Sequence, residues 1–245
     1  MATFFPARAL RLTASAFLLT VGLLAKASDN GAPLLPSYNA IYETTIKGFN
    51  IDGYRSLRRD DNGIYHLSMK AKALLMTLNE ESYFALSDDN QLISHRYQYT
   101  FTKPFGRPRE QSMSFNWSTM TVDGKSKQSW QVPLMQGMTD RLNVLTALRL
   151  HVLQHGTEDY QAAIADKGKV KSYTVSYKGE ETLKTPMGSI KTILMARDDT
   201  ERKSYFWLAP EWQYQLIRFV QEEADGDRYE LNLKHLEFAP GETPR

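Results

Sequence analysis

The chain has 245 residues, is 42% hydrophobic and 11% aromatic, carries 30 Lys and Arg against 28 Asp and Glu, and has no cysteine. This composition excludes a chain disordered throughout, and the length admits one large domain or two small ones. Without cysteine there is no disulfide, no thiolate metal site and no lipid-bearing thiol.

Arg8 and Arg11 precede an apolar run over 12–24, and Ala25-Lys26-Ala27 follows with the small-x-small pattern that signal peptidase cuts. The run is shorter than the roughly 20 apolar residues of a membrane span. Residues 1–27 are therefore expected to be a signal peptide cleaved after Ala27, and the mature protein to be periplasmic and not an integral membrane protein. The leader holds Arg8, Arg11 and Lys26 and no acid, so without it the net charge moves from +2 to about −1. That balance gives no support for nucleic acid or an anionic membrane surface as partner, since both need clustered Lys and Arg.

Residues 28–37 are rich in turn formers and read as a short mobile lead-in. From Tyr38 the period is two: Tyr38, Ala40, Tyr42, Thr44 and Ile46 share one face, which predicts a half-buried strand. The turn Asp60-Asp61-Asn62-Gly63 separates strands at 54–59 and 64–73, an Asn-Gly hairpin signal. Ser87-Asp88-Asp89-Asn90 separates strands at 82–86 and 92–101, the latter placing Ile93, His95, Tyr97, Tyr99 and Phe101 on one face. Met113, Phe115 and Trp117 continue the alternation, and 130–132 closes this half.

Between Met138 and Gly156 the period changes. Leu142, Leu145, Leu148 and Val152 recur at three and four, with Asp140, Arg141, Asn143, Arg149 and His151 mainly off the stripe, which predicts one amphipathic helix. Thr139 or Asp140 is placed to cap its first turn, and Gly156 to end it in a left-handed conformation. Strands resume at 170–177, 181–184 and 190–196, with Thr185-Pro186-Met187-Gly188 as a tight turn, and then at 203–208, 215–221 and 228–238. Short connections imply antiparallel neighbours. The expected fold is mainly β: a curved antiparallel sheet of roughly ten or more strands, a half-barrel or open barrel, wrapped around one helix. Residues 38–238 form a single domain in this reading, with 239–245 a tail.

The chain contains no nucleophile elbow, phosphate-binding glycine loop or dinucleotide fingerprint. His151 and His155 have the four-residue spacing of helical metal ligands but lack the Glu of H-E-x-x-H, and Asp225-Gly226-Asp227 lacks the loop pattern of a calcium site. No metal, cofactor or catalytic residue is expected. The aromatic alternation points instead to an apolar lining, with Tyr97, Tyr99, Phe101, Trp117, Tyr205 and Trp207 as ligand-lining candidates against the simpler reading of filled core.

From the helix onward, Asp140-Arg141-Leu142-Asn143-Val144-Leu145-Thr146-Ala147-Leu148-Arg149, Tyr177-Lys178-Gly179-Glu180-Glu181-Thr182, Thr185-Pro186-Met187-Gly188 and Phe206-Trp207-Leu208-Ala209-Pro210-Glu211 resemble a bacterial exported family known as domain of unknown function 3108. The likeness spans roughly 38–238. It implies a periplasmic curved sheet around a helix, similar in outline to carriers that ferry lipoproteins to the outer membrane, and implies no catalytic residues. This chain departs from the pattern after Pro210, where Tyr214-Gln215-Leu216-Ile217-Arg218 has no proline. The expected function is non-enzymatic binding of a lipid, lipoprotein acyl chain or hydrophobic peptide. The alternative is an adaptor that contacts an envelope protein through sheet edges or the basic segment 103–109, while a hydrolase acting on an envelope polymer has no nucleophile–base pair behind it.

Overall fold

The computed structural model describes residues 34–46, 48–199 and 202–244. The expected signal peptide and most of the expected lead-in therefore lie outside the described residues. Chain contacts divide the molecule at Gly31/Ala32, and the sheet belongs entirely to the second unit.

Fifteen strands form one sheet. The first arm is a meander of β1 (Tyr38–Ile46), β2 (Phe49–Arg59), β3 (Tyr65–Ala73), β4 (Met76–Leu86), β5 (Leu92–Thr102), β6 (Arg109–Asn116), β7 (Thr121–Lys125) and β8 (Ser129–Pro133). A two-residue strand, β9 (Met138–Thr139), and the helix α1 (Val144–His155) lead to the second arm. That arm comprises β10 (Tyr160–Asp166), β11 (Lys169–Thr185), β12 (Gly188–Asp198), β13 (Arg202–Ala209), β14 (Gln215–Glu223) and β15 (Arg228–Phe238). The spatial order runs β8 down to β1, then β15 down to β9, so the first and last strands pair at the centre. Every neighbouring pair is antiparallel except β9 with β10.

Alternation explains the central strand. Tyr38, Ala40 and Tyr42 are all buried, and the Tyr42 hydroxyl donates to the Leu216 carbonyl at 2.9 Å. The described end of the lead-in is held at this seam. Leu35 is buried, the Ser37 amide donates to Glu242 at 2.5 Å, and the Ala239 amide donates to the Ser37 carbonyl at 2.9 Å.

Two glycines change the strand pattern. Gly63 adopts φ 82° and closes the β2–β3 turn on the Asp60 carbonyl at 3.0 Å, as the Asn-Gly signal requires. Gly179, read as a break between two strands, instead sits at φ 137° beside a register shift within the continuous β11. A glycine inside a strand marks a bulge as readily as a turn. A second shift leaves His95 as the extra residue between Tyr83↔Arg96 and Phe84↔Ser94. The five-residue face of β5 is therefore split. Leu92 and Ser94 are buried before the bulge and Tyr97 after it, while Ile93 and His95 are only half-buried.

The helix is shorter than its periodic pattern because Met138 and Thr139 pair with Ala163 and Ile164 as a strand. Asp140 caps the turn that leads into the helix: its Oδ1 accepts the amides of Leu142 and Asn143, each at 2.9 Å, while the N-cap residue Asn143 makes no side-chain cap bond. Gly156 ends the helix with φ 65° and ψ −130°, so its φ is positive as expected but it lies outside the left-handed helical region. Leu148, Leu150 and Val152 are buried, each such side chain contributing about 1.5–3 kcal/mol. The polar side of α1 is enclosed as well. Arg149, expected off the stripe, is 1% exposed, with its guanidinium 5.7 Å from the Tyr38 ring centroid and donating to the Gln213 carbonyl at 3.2 Å. On another side, Gln154 donates to the Asn90 carbonyl at 3.0 Å.

Side chains join strands near the two ends of the sheet. Gln111 on β6 donates to Asp166 on β10 at 3.4 Å, and Trp130 on β8 packs against Gly168 in the β10–β11 turn.

Candidate functional site

A cavity of about 520 Å³ lies between the start of α1 and strands of both arms. Six of its lining side chains are apolar, Leu142, Val144, Leu145, Ile164, Phe206 and Phe219. The lining also holds six cations, Arg55, Arg141, Lys167, Lys171, Arg197 and Arg202, and two acids, Glu80 and Asp166. Alternation places these groups: Arg202, Ser204 and Phe206 are successive same-face residues of β13, and Phe219 and Gln221 are same-face residues of β14.

Each acid of the lining is engaged. Glu80 accepts from Arg141 Nε at 2.6 Å and also from the Tyr97 hydroxyl, and burial together with the Glu80 charge pushes the Tyr97 phenol up. Asp166 forms a 2.8 Å ion pair with Lys171, which outweighs burial and holds its carboxyl below the ordinary range. Arg197 pairs with Asp199, and Arg202 pairs with Glu223 at 2.8 Å. Arg55 differs: buried, it donates to the Tyr38 hydroxyl at 3.0 Å and to the Leu142 carbonyl at 3.3 Å.

Behind the cavity lies a buried polar cluster. The Ser82 hydroxyl donates to Asp140 Oδ2 at 2.5 Å, and Asn143 Nδ2 donates to Ser82 at 2.7 Å. Burial pushes the Asp140 carboxyl up to about 6, against the hydrogen bonds it accepts. Burial also pushes the Tyr38 phenol up, but the charges of Arg55 and Arg149 prevail and its net direction is down. Buried guanidiniums supported by carbonyls and a phenol supply fixed positive potential in a region of low dielectric. The arrangement can hold an anion beside an apolar chain; the lining acids are tied to cations and are not placed as a free acid–base pair.

None of the six aromatic candidates lines this cavity. Tyr97 is fully buried next to it, and the Arg141 guanidinium lies 4.2 Å from the Tyr99 ring centroid, so these two join the Glu80–Arg141 group. Phe101 is half-buried with Lys103 5.8 Å from its ring, and the Trp117 indole donates to the Ser94 carbonyl at 2.8 Å. Tyr205 and Trp207 alternate with Ser204 and Phe206 and so belong to the other face, where the Trp207 indole donates to Glu181 at 2.7 Å. The alternation on β13 was legible, but which phase faces the cavity was not. Arg55 and Glu80 were missed because polar residues on strands read as solvated, and Asp140 was read only as a candidate cap.

His151 and His155 have ring centroids 4.9 Å apart and border a separate cavity of about 480 Å³. Among the described residues no group of three or more His, Cys, Asp or Glu is gathered as metal ligands.

Residues 37–234 match the family model described as "Protein of unknown function (DUF3108)". The chain belongs to this family. A crystal structure described as a beta-barrel-like protein of domain of unknown function DUF1849 from Brucella abortus is similar over 84% of this chain and 99% of its own, with 12% identity and a TM-score of 0.55. At that identity the likeness concerns the fold, and it supports the barrel-like curvature of the family's sheet. No curated protein matches the chain. The strand without proline is β14, which pairs with β13 and β15 on its two sides, an interior position at which proline would remove a ladder hydrogen bond.

Proposed function

We propose that this protein is a non-enzymatic, exported periplasmic binding protein whose half-barrel, wrapped around α1, holds an amphipathic ligand with an acyl chain and an anionic head, a lipid or the acylated end of a lipoprotein. The observation that carries this reading is the cavity of about 520 Å³, whose lining combines six apolar side chains with six cations, four of them paired with acids. Its volume falls within the roughly 300–1,000 Å³ of small-molecule sites. The engaged state of Glu80 and Asp166 supports binding in place of acid–base chemistry.

Native mass spectrometry of protein purified gently from the periplasm, followed by lipid extraction, tests it. A stoichiometric anionic amphiphile is the expected result. A clean unliganded mass, together with no uptake of added lysophosphatidylglycerol, would overturn the reading and leave the adaptor alternative, to be pursued by crosslinking in intact cells.

A further inference from the structure

A net charge near zero conceals how the charges are arranged on the first arm. Its turns alternate between two rims. One rim carries Asp60, Asp61, Asp88 and Asp89. On the other, the register Ala73↔Met76, Thr77↔Thr102, Phe101↔Arg109 and Lys125↔Ser129 sets the turns at 74–75, 103–108 and 126–128 side by side. The segments 69–77, 101–109 and 124–129 together hold seven Lys and Arg and no Asp or Glu, and all seven are exposed.

The tips of this basic rim are apolar. Phe105 is 91% exposed, Leu74 75% and Leu75 72%, and Phe49, beside the β3–β4 turn, is 61% exposed. Leu74 has φ 52°, a left-handed conformation that suits glycine or asparagine, so leucine there is favoured neither by the turn nor by water. Pro104 and Pro108 restrict the loop that presents Phe105. Apolar tips flanked by exposed cations match the chemistry of a lipid–water interface, with side chains entering the headgroup layer and Lys and Arg drawn to anionic lipids.

We propose that the rim formed by the turns at 74–75, 103–108 and 126–128 docks on an anionic lipid bilayer, with Leu74, Leu75 and Phe105 inserted among the headgroups. The register also brings the turn at 167–168 and Arg202 to this end of the sheet, but with them Glu222, Glu223 and the turn Asp225-Gly226-Asp227, so the basic surface belongs to the first arm. The proposal is independent of what the cavity holds.

The test is co-sedimentation with vesicles of phosphatidylcholine alone and of phosphatidylcholine mixed with phosphatidylglycerol. It uses the full chain and the chain beginning at Ser28, the latter to remove any contribution from the apolar run at 12–24. The expected result is partition into the anionic vesicles about tenfold above the neutral ones, weakened by salt. The triple variants Leu74→Asn/Leu75→Ser/Phe105→Ser and Lys103→Glu/Arg107→Glu/Arg109→Glu should each lower it about tenfold with an unchanged melting temperature, asparagine being at ease at the φ of residue 74. Equal binding to both vesicle types, no binding by the chain beginning at Ser28, or variants that bind like the parent would overturn the proposal. So would variants that lose a crosslinked protein partner while keeping vesicle binding.

Discussion

Trp130, on the edge strand β8, and Gly168, in the β10–β11 turn near the other end of the sheet, meet so closely that a Cβ on the glycine would stand 3.1 Å from the tryptophan Cβ. The indole also lies across Gly124, its partner on β7, where an added Cβ would fall 2.1 Å from the ring. One large side chain is thus received by two glycines, one from each arm. With the Gln111–Asp166 hydrogen bond nearby, this contact draws the edges together without a ladder between β8 and β10.

Gly124→Ala should destabilise the protein by about 2 kcal/mol, because the indole must leave a position that Gly168 bounds from the other side. Gly168→Ala, at φ 76°, should cost about 1–2 kcal/mol. Urea unfolding measures both. In the Trp130→Leu background the Gly124 penalty should largely vanish, and a penalty that persists would show that the ring is not its cause.

Asp140 makes stability depend on pH. Its carboxyl titrates near 6 in the folded protein against 3.8 when unfolded, so between these values the folded state holds the extra proton. Stability contributed by this group is full below about 4, falls as pH rises, and is gone above about 6. Asp140→Asn, which retains an oxygen to accept the Leu142 and Asn143 amides, should flatten that slope. Chemical denaturation at a series of pH values compares the two proteins, and an unchanged slope would assign it to another group.

Tyr38→Phe should cost about 1–3 kcal/mol, since Arg55 loses an acceptor in a buried position. The phenol ionises below its ordinary value in the folded state, so it adds stability as pH rises toward 10 and loses it as pH falls through the folded value. In a titration followed at the tyrosinate absorbance band, the variant should lack the earliest step of the parent.

For the cavity, Arg141→Gln should weaken binding of lysophosphatidylglycerol by about tenfold while leaving an uncharged monoacylglycerol of the same chain unaffected, in keeping with a charge-assisted contact of about 1.5 kcal/mol. Phe206→Ala should weaken both. Isothermal titration separates the outcomes, and equal losses for Arg141→Gln would indicate a packing role.

How far the sequence reveals this fold depends on the kind of signal each element carries. Tyr38, Ala40 and Tyr42 alternate strictly, and the Asn62-Gly63 and Met187-Gly188 turns carry their conformations in their residue types, so the paired strands around them were readable. The strand β10 was missed because Tyr-Gln-Ala-Ala-Ile-Ala-Asp is alanine-rich and has weak β preference. The bulge at His95 has no local signature, yet it reverses the face of everything beyond it. Arg149 could not be placed because periodicity assumes that one side of a helix meets water, whereas here Tyr38 and Gln213 close over the polar side. The site was harder still: its cations lie on six separate strands and loops, and only the register brings them together.

The pairing of β1 with β15 has a kinetic meaning. Each arm is a succession of local hairpins that can zip from its own turns, but the two become one sheet only when Tyr38 finds Phe238. Closing a loop of that length costs about 4–5 kcal/mol of chain entropy, and nothing at the seam repays it until the last strand has emerged. The centre of the sheet is therefore its last part to form, and a chain cut short before residue 228 would present two half-sheets with unpaired inner strands. The same adjacency makes the ends joinable: a short link from 239 to 37, with new ends opened at 126–128, would turn the slowest contact into a local hairpin, and such a permutant should fold faster than the natural order.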